Sequence, residues 1–354
     1  MSRRTPPLAP AGVIAILVVA ALAGCERLNP GSEVAELAIR PELRRELVAL
    51  DKRVVTAYRK RDTTGVIGML SDHFLSLTSP ADLLEHLGQY GADLADTRVK
   101  LVTERYLRTA QPNQRLAVDV GDATLTFDAR RRTNYLLCTE LTEPDRTSYY
   151  LCNAYSYDVG GAERWELDFT IVDLHGINGH PLPELVATGQ RLHEAGAVVP
   201  AWAYAAFLRE IYGEDTYYLL SFGLEEAVDS LYAQALRTPD PLPDTVAALP
   251  GAPVVTAVYL ERMAEGLLPV VEYVTGVDFA DTLATRRESE QLARLLPTRY
   301  RGFGELPAGC VYEVLRDYPA AGDSTDYRRY LHGGEGKGPG ATAASSPTDR
   351  RAAG

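Results

Sequence analysis

Two cysteine-bearing segments constrain this chain most. They are Asn134-Tyr-Leu-Leu-Cys-Thr-Glu-Leu141 and Ser148-Tyr-Tyr-Leu-Cys-Asn-Ala-Tyr155, separated by Thr142-Glu-Pro-Asp-Arg-Thr147. Both are rich in aromatic and aliphatic residues, which suit a pleated, buried surface. Pro followed by Asp marks a turn. A hairpin centred on Asp145 makes residue i face residue 290 − i, so Cys138 meets Cys152, Leu136 meets Ala154 and Glu140 meets Tyr150. Directly opposed Cβ atoms stand about 4.5–5.5 Å apart, within a small adjustment of a disulfide. The expectation is a Cys138–Cys152 disulfide, and the alternative is two buried free thiols. Cys310 then stands single and reads as a small buried hydrophobe, not a nucleophile.

Period-two alternation extends on both sides of this hairpin. Val99, Leu101 and Leu107 share a face, as do Leu116, Val118 and Val120, and then Leu125 and Phe127 after Gly121-Asp122. The last strand reads Trp165 to Asp173, with Trp165, Leu167, Phe169 and Ile171 expected on one face and Glu166, Asp168 and Thr170 on the other. Ahead of the strands the period is helical. Leu43, Leu47, Leu50, Val54 and Tyr58 repeat at spacings of three and four within Pro41–Arg61, an amphipathic stripe. A shorter helix is expected over Thr63–Phe74, and a third starts at Thr78-Ser-Pro-Ala-Asp82 and ends near Gly88 or Gly91. Helices followed by a run of antiparallel strands read as α+β, with the helices covering the Trp165 face of a curved meander.

This order, closing on Trp165-x-Leu167-x-Phe169, resembles the NTF2-like superfamily over about residues 40–178. The resemblance is one of pattern. It implies N-terminal helices packed on a curved antiparallel sheet. That superfamily hosts isomerases, dehydratases, partner-binding domains and modules of secretion systems, so the fold does not select a function.

Beyond Pro181-Leu-Pro183 the spacing predicts helices over 184–195, 201–212, 224–236, 254–268 and 280–296, with a short β-like run at Val270–Thr275. The second domain is therefore expected to be mostly α-helical. From about Ala320 the chain turns to Gly, Ser, Pro, Ala and charge, and reads as a disordered tail.

The N-terminus carries its own signal. Arg3 and Arg4 precede an uncharged run from Gly12 to Ala23, then Gly24-Cys25. A span needs roughly 20 apolar residues; a shorter run after a basic start is a signal peptide. Leu22-Ala23-Gly24-Cys25 resembles the lipobox of bacterial lipoproteins. That resemblance implies cleavage before Cys25, diacylation of its sulfur and acylation of the new amino group, which together anchor the chain in a lipid bilayer. Glu26, rather than Asp, favours the outer membrane, facing the periplasm. The expected organisation is a signal peptide (1–24), a lipidated tether (25–40), an NTF2-like domain (41–180), a mostly helical domain (181–318) and a disordered tail (319–354).

Composition narrows the partners. Hydrophobic content of 46% and charged content of 24% are ordinary for a globular chain. Loss of Arg3 and Arg4 with the leader takes the formal net charge from −12 to −14. That argues against a nucleic-acid partner, which needs a basic footprint, and against a second, electrostatic grip on anionic lipid. Nucleophile-elbow, phosphate-loop, dinucleotide and Cys-x-x-Cys motifs are missing, and no cofactor is implied. His175-Gly-Ile-Asn-Gly-His180, next to Asp173, matches no zinc spacing and reads as a turn, so no metal is assigned. Glu166 and Asp168, with His73, are the catalytic candidates, because paired carboxylates on an interior face can work as general acid and base. The 20 tyrosines, against 7 Phe and 2 Trp, fit either half-buried strands or an interface. Two functions follow. One is a lipid-anchored periplasmic binding or assembly module, without catalysis, that engages an envelope protein or small ligand. The other is a small isomerase- or hydrolase-like pocket enzyme using Glu166 and Asp168.

Overall fold

The computed structural model describes residues 35–77, 96–144, 146–157, 164–212, 220–239, 241–263, 266–318 and 327–332. The expected leader, the lipobox-like segment at Cys25 and the helix expected from Thr78 lie outside these residues. The chain divides into two compact units. Each is mixed α+β.

The first unit opens with a two-residue strand, β1 (Ala35–Glu36), and then α1 (Pro41–Lys60). Proline at the first helical position is pre-organised for the turn, and Glu42 at the start with Arg59 and Lys60 at the end complements the helix dipole. Arg61 stops the helix in the left-handed region, with φ 54°. Two short helices follow, α2 (Thr63–Ile67) and α3 (Asp72–Leu77), where one helix over Thr63–Phe74 was expected. The break has a cause in the neighbouring strand. Leu167 donates to Met69 O and accepts from Ser71 N, each at 3.0 Å, so the connecting backbone pairs with a sheet edge instead of itself.

Strands β2 (Arg98–Arg108), β5 (Thr133–Thr142), β6 (Ser148–Tyr157), β7 (Trp165–Ile177) and β8 (His180–Pro181) form with β1 a six-stranded antiparallel sheet in the order β1-β2-β5-β6-β7-β8. It is curled into a half-barrel. The β5–β6 register follows the 290 − i rule from Asn134↔Ser156 to Thr142↔Ser148. Strands β3 (Gln114–Val120) and β4 (Ala123–Ala129) leave this sheet. They pair with each other and with β9 (Leu220–Ser221) as a separate three-stranded sheet. The expected meander is thus interrupted: β2 pairs with β5, not with β3.

Both faces of the large sheet are consequently covered. Leu47, Val54 and Tyr58 of α1 pack with Tyr135, Leu137, Tyr149, Leu151, Tyr155 and Val172. On the other face Leu136, Cys138, Cys152, Ala154 and Ile171 pack with Leu116, Val120, Leu125 and Phe127 of the β3–β4 hairpin. A strand covered on both faces loses its polar alternation, which is why β6 reads almost continuously apolar and is buried from Ser148 to Ser156.

One register shift corrects the sequence reading of β7. Ala154 pairs with Phe169 but Tyr155 with Leu167, leaving Asp168 as the extra residue of a bulge. A bulge reverses the phase of everything beyond it. Leu167 faces the helices, while Phe169 and Ile171 face the hairpin. The face assigned to Trp165, Leu167, Phe169 and Ile171 together is split in two.

The second unit begins with α4 (Leu182–Glu194), α5 (Val198–Tyr212) and α6 (Glu225–Arg237). It continues with a five-stranded sheet in the order β10-β11-β12-β13-β14. Its strands are β10 (Asp244–Thr245), β11 (Val254–Met263), β12 (Gly266–Val274), β13 (Cys310–Leu315) and β14 (Tyr327–His332). The crossover from β12 to its parallel neighbour β13 carries α7 (Thr282–Arg299), whose N-cap Asp281 accepts from Leu283 and Ala284 N. The expectation of a mostly helical domain needs correcting here. Residues 254–263 and 266–268 lie on the paired antiparallel strands β11 and β12, with Met263 paired to Gly266 at φ 111°. β-Branched Val254, Val255, Thr256 and Val258 favour the extended chain, and Pro269 sits just before the β12–β13 ladder begins at Val270, where no N–H is required. The tail reading is corrected in part as well. Tyr327–His332 is a paired strand, with Tyr330 buried and Arg329 held between Glu313 and Glu261 at 2.7 and 3.0 Å.

Candidate functional site

Polar groups gather on each face of the large sheet of the first unit. On the helix side, Asp51 lies in the apolar stripe of α1 and is buried. Its Oδ1 accepts from Asn153 Nδ2 and from Tyr155 OH, both at 2.8 Å. Thr170 donates to Asn153 Oδ1 at 2.8 Å and meets Tyr58 OH at 3.1 Å. Burial raises the Asp51 carboxyl above its ordinary range, against the pull of its two donors, and pushes Tyr58 up to about 12. The result is a closed network spanning α1, β6 and β7, flanked by the buried rings of Tyr135 and Tyr149.

On the hairpin side, His175 is the centre. Ser148 Oγ lies 3.0 Å from His175 Nδ1, and Asp122 Oδ1 lies 3.3 Å from Nε2. Glu140 Oε1 is 3.5 Å from Nδ1, and its other carboxylate oxygen takes Lys100 at 3.2 Å. The Tyr150 ring stacks on the imidazole at 4.2 Å and its hydroxyl donates to Asp122 at 2.9 Å. Phe222 stacks more distantly, at 6.2 Å. Asp173, opposite Tyr150 in the ladder, is desolvated, which pushes its carboxyl up to about 7 against the Leu174 N–H it accepts.

This is a serine–histidine–acid relay in connectivity, able in principle to pass a proton along its length. A nucleophile must also reach its substrate, and Ser148 is 6% exposed within a paired strand. The acids engage opposite nitrogens of one ring, so the set does not converge on a single ion. Among the described residues no group of three or more His, Cys, Asp or Glu side chains is arranged to hold a metal.

No family model, no curated protein and no solved structure matches this chain.

Of the residues nominated from sequence, Glu166 is the ladder partner of Ser156. Glu166 is ion-paired with Arg164 at 3.2 Å. Asp168, on the bulge, accepts from Ser156 Oγ. His73, half-buried on α3, feels both Arg130 and Asp168, and its pKa is lowered first by burial and then by Arg130. Thr170, expected beside Glu166 and Asp168, is turned by the bulge into the helix-side network. His175, expected in a turn, is a strand residue, because β7 runs on to Ile177, and His180 is exposed on β8. The cysteines Cys138 and Cys152 are cross-strand neighbours at disulfide distance, with Cα atoms 4.1 Å apart. Cys310 is buried, and desolvation pushes its thiol up to about 12. It lines a cleft of about 420 Å³ with Tyr312, His332, Arg294 and Glu290 in the second unit.

The helix-side network had one signal in the sequence. Asp51 stands four residues after Leu47 and seven before Tyr58, a carboxylate inside an apolar stripe. The relay had none, because Ser148 and His175 meet through the β6–β7 pairing and Asp122 joins them only from the separate β3–β4 hairpin.

Proposed function

We propose that this protein is an exported, lipid-anchored binding or assembly module, tethered through acyl chains on Cys25 at the periplasmic face of the outer membrane, with a first unit of NTF2-like type that acts through its surface rather than by catalysis. The observation that carries the reading is the filled interior of that unit. In a cone of helices on a curled sheet, a reaction chamber would lie between α1 and the strands. That space holds the rings of Tyr58, Tyr135, Tyr149 and Tyr155, and the Asp51 carboxylate there is already answered by Asn153 and Tyr155. Groups bonded to each other in a packed core are poor acids and bases for a substrate. The three helices preceding the strands and the sheet's curl support the NTF2-like assignment.

Purification of the full chain from detergent-solubilised membranes, read by mass spectrometry, tests this function. A stoichiometric envelope protein in the eluate is the expected result. A clean eluate, together with turnover of a small substrate, would contradict it. The hydrolase alternative has the Ser148–His175–Asp122 relay in its favour, and covalent labelling of Ser148 by a fluorophosphonate would bring it forward.

A further inference from the structure

We infer that the exposed side of α1 is a docking surface for anionic phospholipid, a second membrane contact beyond the Cys25 anchor. From Lys52 to Arg61 the chain carries five cations and no acid, within a protein of formal net charge −12. The structure places three of them together. Lys52, Arg53 and Lys60 line an open cleft of about 530 Å³ with Thr56 of α1 and the α2 segment from Asp62 to Met69. Lys52, Thr56 and Lys60 follow one another at i, i+4 and i+8, so they form a single line along the helix. All three are exposed, as is Arg53. Asp62 is the acid in the cleft, and one of its oxygens is committed to Gly65 N at 2.8 Å. Among the described residues, no ion pair involves Lys52, Arg53 or Lys60.

A cleft of this size, with three converging cations and a hydroxyl, suits a phosphate-bearing headgroup. Net charge argued against such a contact, but net charge averages over faces that a surface contact does not use. A lipid surface is favoured over an acidic polypeptide by the length of the tether. The nine residues from Glu26 to Val34 separate Cys25 from β1 and reach at most about 30 Å when fully extended, so anchoring would hold α1 near the bilayer at high effective concentration. The inference rests on the anchored reading for its setting, and its test does not.

The test uses the full chain carrying Cys25→Ala, which cannot be acylated, sedimented with vesicles of phosphatidylcholine alone or with phosphatidylglycerol added. The leader's contribution, including any anionic preference from Arg3 and Arg4, is common to parent and triple variant and cancels between them. The expected result is a preference for anionic vesicles that fades as salt rises and falls about a hundred-fold in Lys52→Gln/Arg53→Gln/Lys60→Gln, at roughly fivefold per cation. The triple variant keeps its thermal midpoint, because these side chains are solvated. Equal sedimentation of parent and triple variant, or no preference for anionic vesicles, overturns the inference. Binding of polyglutamate through the same three side chains, with anionic vesicles ignored, would also overturn it and assign the surface to an acidic polypeptide. Loss of the anchor itself is read separately, from the acylation state of the unmutated chain.

Discussion

Asp173 shows how a single desolvated, half-buried carboxyl links folding to pH. Desolvation pushes it up to about 7 in the folded protein, whereas in an unfolded chain an aspartate releases its proton near 4. Between those values the folded state binds the extra proton, so stability falls as pH rises from about 4 to about 7. Asp173→Asn keeps an acceptor for Leu174 N–H and removes the titration. Thermal melts should show the variant gaining stability at pH 8 and little at pH 4.5, with a flatter profile between. Asp51 and Glu288 are raised by burial in the same direction, so some slope remains. Identical pH profiles for variant and parent would refute this account of Asp173. Its desolvation was not visible in the sequence, because the strand was read as ending at that residue and His175 beyond it as a loop.

At the scale of elements, the Asp168 bulge and the β5–β6 hairpin are the two decisive features. Deleting Asp168 would restore strict alternation and swing Thr170 and Val172 from the helix face to the disulfide face, since a one-residue slip exchanges every side chain. That deletion should abolish cooperative unfolding, while Asp168→Ala, which loses the Ser156 bond and the charge near His73, should cost about 1 kcal/mol. A stable deletion variant would contradict the phase reversal. The hairpin holds Cys138 and Cys152 at a sequence separation of 14, and closing a loop of that size contributes roughly 3 kcal/mol. Non-reducing peptide maps should show the linked pair, and reduction should lower the denaturation midpoint accordingly; two free thiols in the oxidised protein would refute the bridge. The hairpin register was legible because local turn chemistry and two cysteines specify it. The bulge was not, because a bulge is set by neighbours, here the Leu167 pairing with Met69 and Ser71. The β3–β4 excursion escaped for the same reason: alternation gives the phase of a strand but not its partner. In the second unit, residues 254–268 combine apolar spacing compatible with a helix and β-branching compatible with a strand, and the pairing of β11 with β12 favours the strand.

For the whole molecule, we propose an exported, acylated start joined to a first unit whose interior is packed and whose exposed α1 face carries Lys52, Arg53 and Lys60. No helix among the described residues is long and apolar enough to cross a membrane. The proposed membrane association rests separately on the lipobox-like sequence at Cys25, with Lys52, Arg53 and Lys60 as the proposed second contact. The most direct test is fractionation of cells expressing the full chain or Cys25→Ala, with mass analysis of the N-terminal peptide. The account predicts that the unmutated chain sediments with membranes and begins at a Cys25 bearing diacylglyceryl and amide-linked acyl groups, while Cys25→Ala shifts to the soluble fraction in high salt. An unmodified N-terminal peptide starting upstream of Cys25, or a Cys25→Ala chain that stays in washed membranes, would contradict it.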